Sequence, residues 1–575
     1  MTIGLQRVIA RAPVVMTSFT PSGFHRDGSR VCPSRRAVGA RRSEAKGHAM
    51  RGIATGGFVL GLLTLAGSAA AQLSDLGQTP NSEGAGIGKS LEEQIGAGRG
   101  DDSMRDTSRY LIARDPFRAI RRGRQLFQRK FTAAQGLGPR ARDGIGEGPD
   151  GPPALTAGLA DSCAACHGQP RGAAGFGGVV FTRPDSRSSP HLFGLGLQEM
   201  LADEMTSELR RQRDGASAQA RVRRSSVRVA LRSKGVAFGE LTAHRDGRVD
   251  TSRVDGVDPD LRVKPFFAHG GAFSIRQFVV GAFADEMGLQ AADPDLAAAA
   301  RGERVTTPAG LVLDGRLDAI PAPPADDDPD ADPDDDGVRN EIDAALVDHL
   351  EWYLLNYFKP AVHERTELGE MGRELMDGMG CTGCHRPSLT IERDRRVADV
   401  ETRHDRRRGV FNGLFATATP LFRERLDRPG LPPRRQPAGG RFVVANFYSD
   451  LKRHDLGPAF WERNFDGTLQ KEFVTEPLWG VGSTPPYGHD GRSINLHEVI
   501  LRHGGEAQRA RDRYAAAGPL AQSAVRTFLE SLVLFPPDDT ASNLDPGDRH
   551  ASVFPQRAHG SIRLPGLFLD PEEAE

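Results

Sequence analysis

The sequence predicts a mainly α-helical protein of two domains with long loops. Three observations carry this. The pattern C-x-x-C-H occurs twice, as "CAACH" (163–167) and "CTGCH" (381–385), and a stretch with helical spacing of apolar residues leads into each copy. A Pro/Asp-rich segment, 317–336, separates the two copies. Gly and Pro number 67 and 39 of 575 residues, which favours irregular connections. Charge is nearly balanced, with 75 Lys+Arg against 76 Asp+Glu. A dedicated nucleic-acid binder needs a basic surface, so that class is set aside.

The elements follow in chain order. Met50 and Arg51 precede an apolar run, "GGFVLGLLTLAG" (56–67), and then "SAAAQ". A short basic start, an apolar centre and small residues before a cut are the parts of a secretory signal. Residues 1–71 therefore read as leader and signal peptide, with Met50 as the expected start and cleavage between Ala71 and Gln72. The apolar centre is too short to span a bilayer stably, so the mature chain is expected in the periplasm without a membrane span. Residues 72–109 read as a flexible arm and 110–316 as the first domain. Within it, "PFRAIRRGRQLFQRKF" (116–131) and "SIRQFVVGAFADEMG" (274–288) read as helices, and mixed-charge residues 206–262 as an insertion. Residues 317–345 form an acidic linker and 346–540 the second domain, with 541–575 an irregular tail. "EIDAALVDHLEWYLLNYF" (341–358) reads as an amphipathic helix, and "ELGEMGRELMDGMGCTGCH" (367–385) repeats the order helix, then C-x-x-C-H.

Of five Cys, Cys32 falls in the leader, and the other four make up the two motifs. C-x-x-C-H is the attachment pattern of c-type haem: the two thiols add to the porphyrin vinyl groups and the adjacent His faces the iron. A zinc site needs four ligands gathered from paired motifs, and a thiol-redox pair needs a βαβ setting; neither context is present around these copies. Cys163, Cys166, Cys381 and Cys384 are the expected covalent attachment points of two haem c groups, with His167 and His385 as iron ligands. The economical architecture is two cytochrome-c-like haem domains. In the linker, Asp332, Asp334, Asp336, Gly337, Val338 and Asp343 match D-x-D-x-D-G-V-x-x-x-x-D. Carboxylates at loop positions 1, 3, 5 and 12, with a carbonyl at 7, suit one Ca²⁺, weakened by Asp rather than Glu at the last position.

"FYSDLKRHDLGP" (447–458), "EPLWGVGSTPPYGHDGRSINLHEVILRHGGEA" (476–507) and both C-x-x-C-H motifs resemble the di-haem oxidoreductase, putative peroxidase family. That family is related to bacterial di-haem cytochrome c peroxidases and to the methylamine-dehydrogenase maturation enzyme. The resemblance runs from about residue 110 to 540, loosely in the first half. In the peroxidases the helix after "PYxHDG" carries a Met that is the far ligand of the second haem. His503 stands at that position here, which implies His/His ligation and a lower potential. His454 and His489 are rival ligands. On the first haem, Arg187-Ser188-Ser189-Pro190 resembles an R-N-x-P-T segment, and Glu286-Met287 matches a Glu-Met whose Glu works above the iron. The resemblance thus implies Glu286 as the acid/base for peroxide. Met287, His269 and His191 are rival sixth ligands. The Trp that the peroxidases place between the haems is replaced by Ala268, leaving Trp352 and Trp479 as alternative rings.

The expected function is an exported di-haem oxidoreductase of peroxidase type. Its first haem reacts with hydrogen peroxide or a related oxidant. Its second relays electrons from a cytochrome c, a cupredoxin or a small-molecule donor. Three other classes remain open: a non-catalytic electron-transfer cytochrome, an oxygenase or protein-modifying oxidase on the same scaffold, and a haem-based sensor or binding protein.

Overall fold

In the computed structural model, the described residues are 72–73, 91–138, 160–168, 174–177, 189–404, 414–533 and 562–563, apart from 176, 329, 335, 357–361, 363–365 and 465–466. The leader, the signal and its cleavage site, and the tail 541–575 except 562–563 lie outside them. Helix α1 (Ser108–Arg114) is capped by Thr107, whose side chain accepts from Tyr110 N. Helix α2 (Pro116–Gln128) starts on Pro at its first position and buries Phe117, Ile120, Leu126 and Phe127. A single turn, α3 (Cys163–Cys166), carries the first motif.

Helix α4 (Leu195–Arg223) runs for 29 residues and leads into an antiparallel sheet of β1 (Val227–Ser233), β2 (Val236–Ala243) and β3 (Val249–Val254). Helix α5 (Ile275–Ala282) passes into a π-helical turn, Phe283–Met287, ended by Gly288 at φ +68°. Helix α6 (Ala344–Asn356) follows the acidic segment, and α7 (Glu367–Met379) precedes the second motif. Strands β4 (Ser388–Ile391) and β5 (Phe442–Ala445) pair with each other, as do β6 (Arg453–Asp455) and β7 (Glu472–Val474). Helices α8 (Leu496–Arg502), α9 (Gln508–Ala516) and α10 (Pro519–Glu530) follow.

The mainly α expectation, with cytochrome-c-like domains, is therefore corrected. The described residues are mixed α/β, 38% helix and 18% strand in several small sheets. In "VRVALRS" and "VAFGELTA" the buried positions tend to alternate, the period of a half-buried strand, although Arg-rich composition disguises it. This sheet packs on α4 around Leu231, Val236, Phe238 and Leu241. The same core takes in Leu389, Ile391, Val444, Phe447 and Trp479, so the insertion braces the second half of the chain.

Two further cores flank the motifs. One gathers α1, α2, α5 and α6; the other gathers Met376, Met379, Tyr448, Tyr514, Val525 and Phe528. Each depends on a helix glycine. A Cβ at Gly123 would collide with the His349 carbonyl on α6, and one at Gly372 with the Ala524 carbonyl on α10. The absent side chain is what lets these helix pairs touch.

Helix α6 is not amphipathic as expected: Ala345 to Asn356 are all buried. Its acids are neutralised from inside. Fully buried Arg276 on α5 donates to Asp293, Asp348 and Glu351 at 3.0, 2.9 and 2.8 Å. Arg99 donates to Asp348 at 3.2 Å, which ties the segment before α1 to the core. Burial pushes the Glu351 carboxyl up to about 7, against the pull of Arg276. This network fixes α5, the helix that leads to Glu286. Among the described residues no helix is long and apolar enough to cross a membrane.

Candidate functional site

Both C-x-x-C-H motifs open into one cavity of about 1000 Å³ within a single compact unit, Ser68–Glu575. Cys163, Cys166 and His167 line one part, and Cys381, Cys384 and His385 another. No disulfide joins any of these thiols. Burial pushes Cys163 up to about 12, and Cys166 and Cys381 to about 11. Thiols held neutral are poor zinc ligands and slow redox nucleophiles, both of which need thiolate.

The histidines share one arrangement. His167 Nδ1 lies 2.7 Å from the Pro190 carbonyl and His385 Nδ1 lies 3.0 Å from that of Tyr448. A carbonyl only accepts, so each Nδ1 carries the hydrogen and each Nε2 is left with its lone pair. A backbone carbonyl behind a histidine fixes the tautomer that binds metal. The carbonyl for His385 comes from a strained strap, 446–451, in which Asn446, Tyr448 and Leu451 have φ of +55°, +52° and +57°.

His503, directly after α8, repeats the pattern, with Nδ1 2.7 Å from the Val499 carbonyl. Burial lowers its pKa to about 4, and the charge of His385 adds to that shift, which puts the two rings within electrostatic reach of each other. His454 differs. Its Nδ1 lies 2.8 Å from Glu506 and its Nε2 3.0 Å from Asp450, so both nitrogens donate to carboxylates. Burial opposes its charge, yet bonds to Asp450, Cys384 and Glu506 hold it up to about 12. An imidazolium has no lone pair for iron. His489 stacks on Phe473 at 3.8 Å and pairs with Glu462 at 3.2 Å.

On the first side, Glu286 and Met287 line the cavity from the π-helical turn, and Glu286 bears electrostatically on both Cys166 and His167. A π-turn shifts the helical register locally, a device common at functional sites. His269 lines the same region, its ring 6.3 Å from Phe267. His191 Nε2 donates to the Trp479 carbonyl at 2.8 Å, and its Nδ1 is buried without a hydrogen bond. Of the two alternative rings, Trp479 lines the cavity with Nε1 unbonded. Trp352 is core, its Nε1 donating to the Pro116 carbonyl at 3.0 Å.

These walls suit porphyrins: paired thiols beside a histidine of fixed tautomer, twice, around a cavity that also holds buried polar atoms without protein partners. Residues 441–532 match the family model described as "Di-haem oxidoreductase, putative peroxidase". Over those residues the match bears out the resemblance read from the sequence, and the family's description names two haems and oxidoreductase chemistry. No curated protein matches the chain. The matched segment of the chain contains the strap 446–451, His454, Trp479, His489 and His503. Both C-x-x-C-H motifs and Glu286 lie before it.

The acidic loop lies apart from these walls. Asp332, Asp334 and Asp336 each place a carboxylate oxygen within 4.8 Å of the others. Asp332 accepts from Asp336 N and Gly337 N at 3.1 and 2.9 Å, and Val338 N donates to Asp336 at 2.6 Å. Asp343 does not join them; it accepts from Ala345 N at 2.7 Å, at the start of α6. Sequence reading named His454 but passed over its partners Asp450 and Glu506, and Glu476, although all lie inside the stretches that carry the family resemblance. Their partners come from distant parts of the chain, so no local spacing marks them.

Proposed function

We propose that the chain is an exported, periplasmic di-haem c-type oxidoreductase of peroxidase type. One observation carries the reading: two C-x-x-C-H motifs, each with its histidine oriented by a backbone carbonyl, share a cavity with Glu286. Cys163 and Cys166 would hold one haem and Cys381 and Cys384 the other, with His167 and His385 as iron ligands. When bound, the haems supply reversible one-electron chemistry at iron.

The residues divide the remaining work. His503, whose Nδ1 is held by the Val499 carbonyl, would offer Nε2 as a further ligand to the haem held by Cys381 and Cys384. Glu286 stands where a carboxylate can accept a proton from hydrogen peroxide and return it to the leaving oxygen. Trp479 is the aromatic ring placed in the shared wall. Electrons come from a small redox protein, a cytochrome c or a cupredoxin, or from a small-molecule donor. A calcium ion at Asp332, Asp334 and Asp336 with the Val338 carbonyl would stiffen the linker; Asp343 has no part in it.

The test is haem content and peroxide reactivity of the protein matured with its haems. Glu286→Gln should retain both haems by pyridine haemochrome and slow the reaction with peroxide by about 10²–10⁴. An unchanged rate removes the role of Glu286. A chain that carries no covalent haem overturns the reading.

A further inference from the structure

Segment 474–479, "VTEPLW", is held from both sides of the cavity. Toward the first motif, Val474 N donates to the Ala268 carbonyl at 2.8 Å and the Trp479 carbonyl accepts from His191 at 2.8 Å. Toward the second, Thr475 N donates to Lys452 O at 3.0 Å and Leu478 N to Phe447 O at 3.1 Å. The Thr475 carbonyl accepts from Ser449 Oγ at 2.5 Å. Ser449 and Phe447 belong to, or adjoin, the strap that orients His385.

Glu476 sits in the middle of this segment and lines the cavity. By accessible surface the residue is exposed, while the density of protein around its carboxyl makes desolvation dominate there. Among the described residues it makes no hydrogen bond or ion pair. Besides the proposed iron ligands and the motif thiols, the titratable and charged groups lining the cavity are His191, His269, Asp285, Glu286, His454, His489 and Glu506, with Tyr487, Tyr514, Arg509, Arg511 and Arg513. None of them moves the Glu476 carboxyl; burial alone pushes it up to about 7.

We infer that Glu476 is the proton-accepting group of the cavity, taking up one proton for each electron stored there. The inference rests on the two haems of the proposed function. With haem in place, one electron from a one-electron donor would be held in the cavity, and one proton from solvent would form the O–H bond of the Glu476 carboxyl. Both leave when the electron passes on. The driving force is charge balance. An added electron in an enclosed, weakly polarisable cavity is costly, and a carboxylate without a counter-ion is the group that neutralises most readily. Glu476 acts beside the redox centres and not on the oxidant, so it is a second proton site, distinct from Glu286.

The experiment is a spectroelectrochemical titration of the matured protein across about pH 5 to 9, after pyridine haemochrome has counted the haems. In the wild type, the midpoint potential of one haem should fall as pH rises through neutrality. Glu476→Gln should flatten that dependence with the haem count unchanged, and Glu476→Asp should restore a slope with a displaced inflection. A pH-independent wild type, or an identical slope in Glu476→Gln, overturns the inference while leaving the proposed function standing. A chain without haem overturns both. If Glu476→Gln does not fold, the infrared difference spectrum of the wild type decides. A protonated-carboxyl band that grows on reduction supports Glu476, and its absence overturns it.

Discussion

Which imidazole nitrogen is spent separates His503 from its rivals. His503 gives Nδ1 to a backbone carbonyl and keeps Nε2, whereas His454 gives both nitrogens to carboxylates. His503→Ala should therefore move one haem from low to high spin in the ferric absorption spectrum, without loss of haem. His454→Ala should leave the spin state and shift the potential, because it removes a buried positive charge beside Cys384. An unaltered spectrum in His503→Ala would place the far ligand elsewhere. At this scale the sequence was informative where chemistry is local. C-x-x-C-H sets thiols and histidine on one turn, and the helix after "GHDG" numbers His503 directly. It was silent on Glu476, whose surroundings are assembled from residues near 191, 268 and 447–452.

The helix with the most at stake is α6. His349, fully buried within it, has both ring nitrogens without a hydrogen bond, and burial, helped by Arg122, lowers its pKa to about 3. The folded state therefore binds fewer protons than the unfolded state below the ordinary value of 6.5. Stability present at neutral pH is lost as pH falls through that value toward 3. The cost is about 2 kcal/mol at pH 5 relative to pH 7. His349→Leu should shrink the difference in melting temperature between those two pH values; an undiminished difference would assign the acid sensitivity to other groups. The burial of α6 on all faces was not legible from its pattern, because Asp348 and Glu351 look like a solvent face until Arg276 and Arg99 are found beside them. Strands β4 to β7 were missed for a related reason. Runs of three or four residues are too short to display a period of two, and their partners lie tens of residues away.

On the scale of the whole molecule, the acidic loop offers a separable test. If Asp332, Asp334 and Asp336 hold calcium, a hundredfold excess of the ion over its Kd should stabilise the protein by roughly 2.7 kcal/mol, and a chelator should reverse this. Thermal melts with and without calcium read the effect; coincident melts remove the ion. The overall class was misread because the helices beside the motifs were legible and the brace of α4 and its sheet was not. That brace shares its core with Phe447 and Trp479, and segment 474–479 is bonded to both motif neighbourhoods. Such cross-linking has a kinetic meaning. Halves joined by a loose linker would exchange electrons at a rate set by how often they meet, and thickening the solvent would slow them. Here the separation is built into the wall, so electron passage between the two haem sites should be a fixed-distance event, indifferent to viscosity.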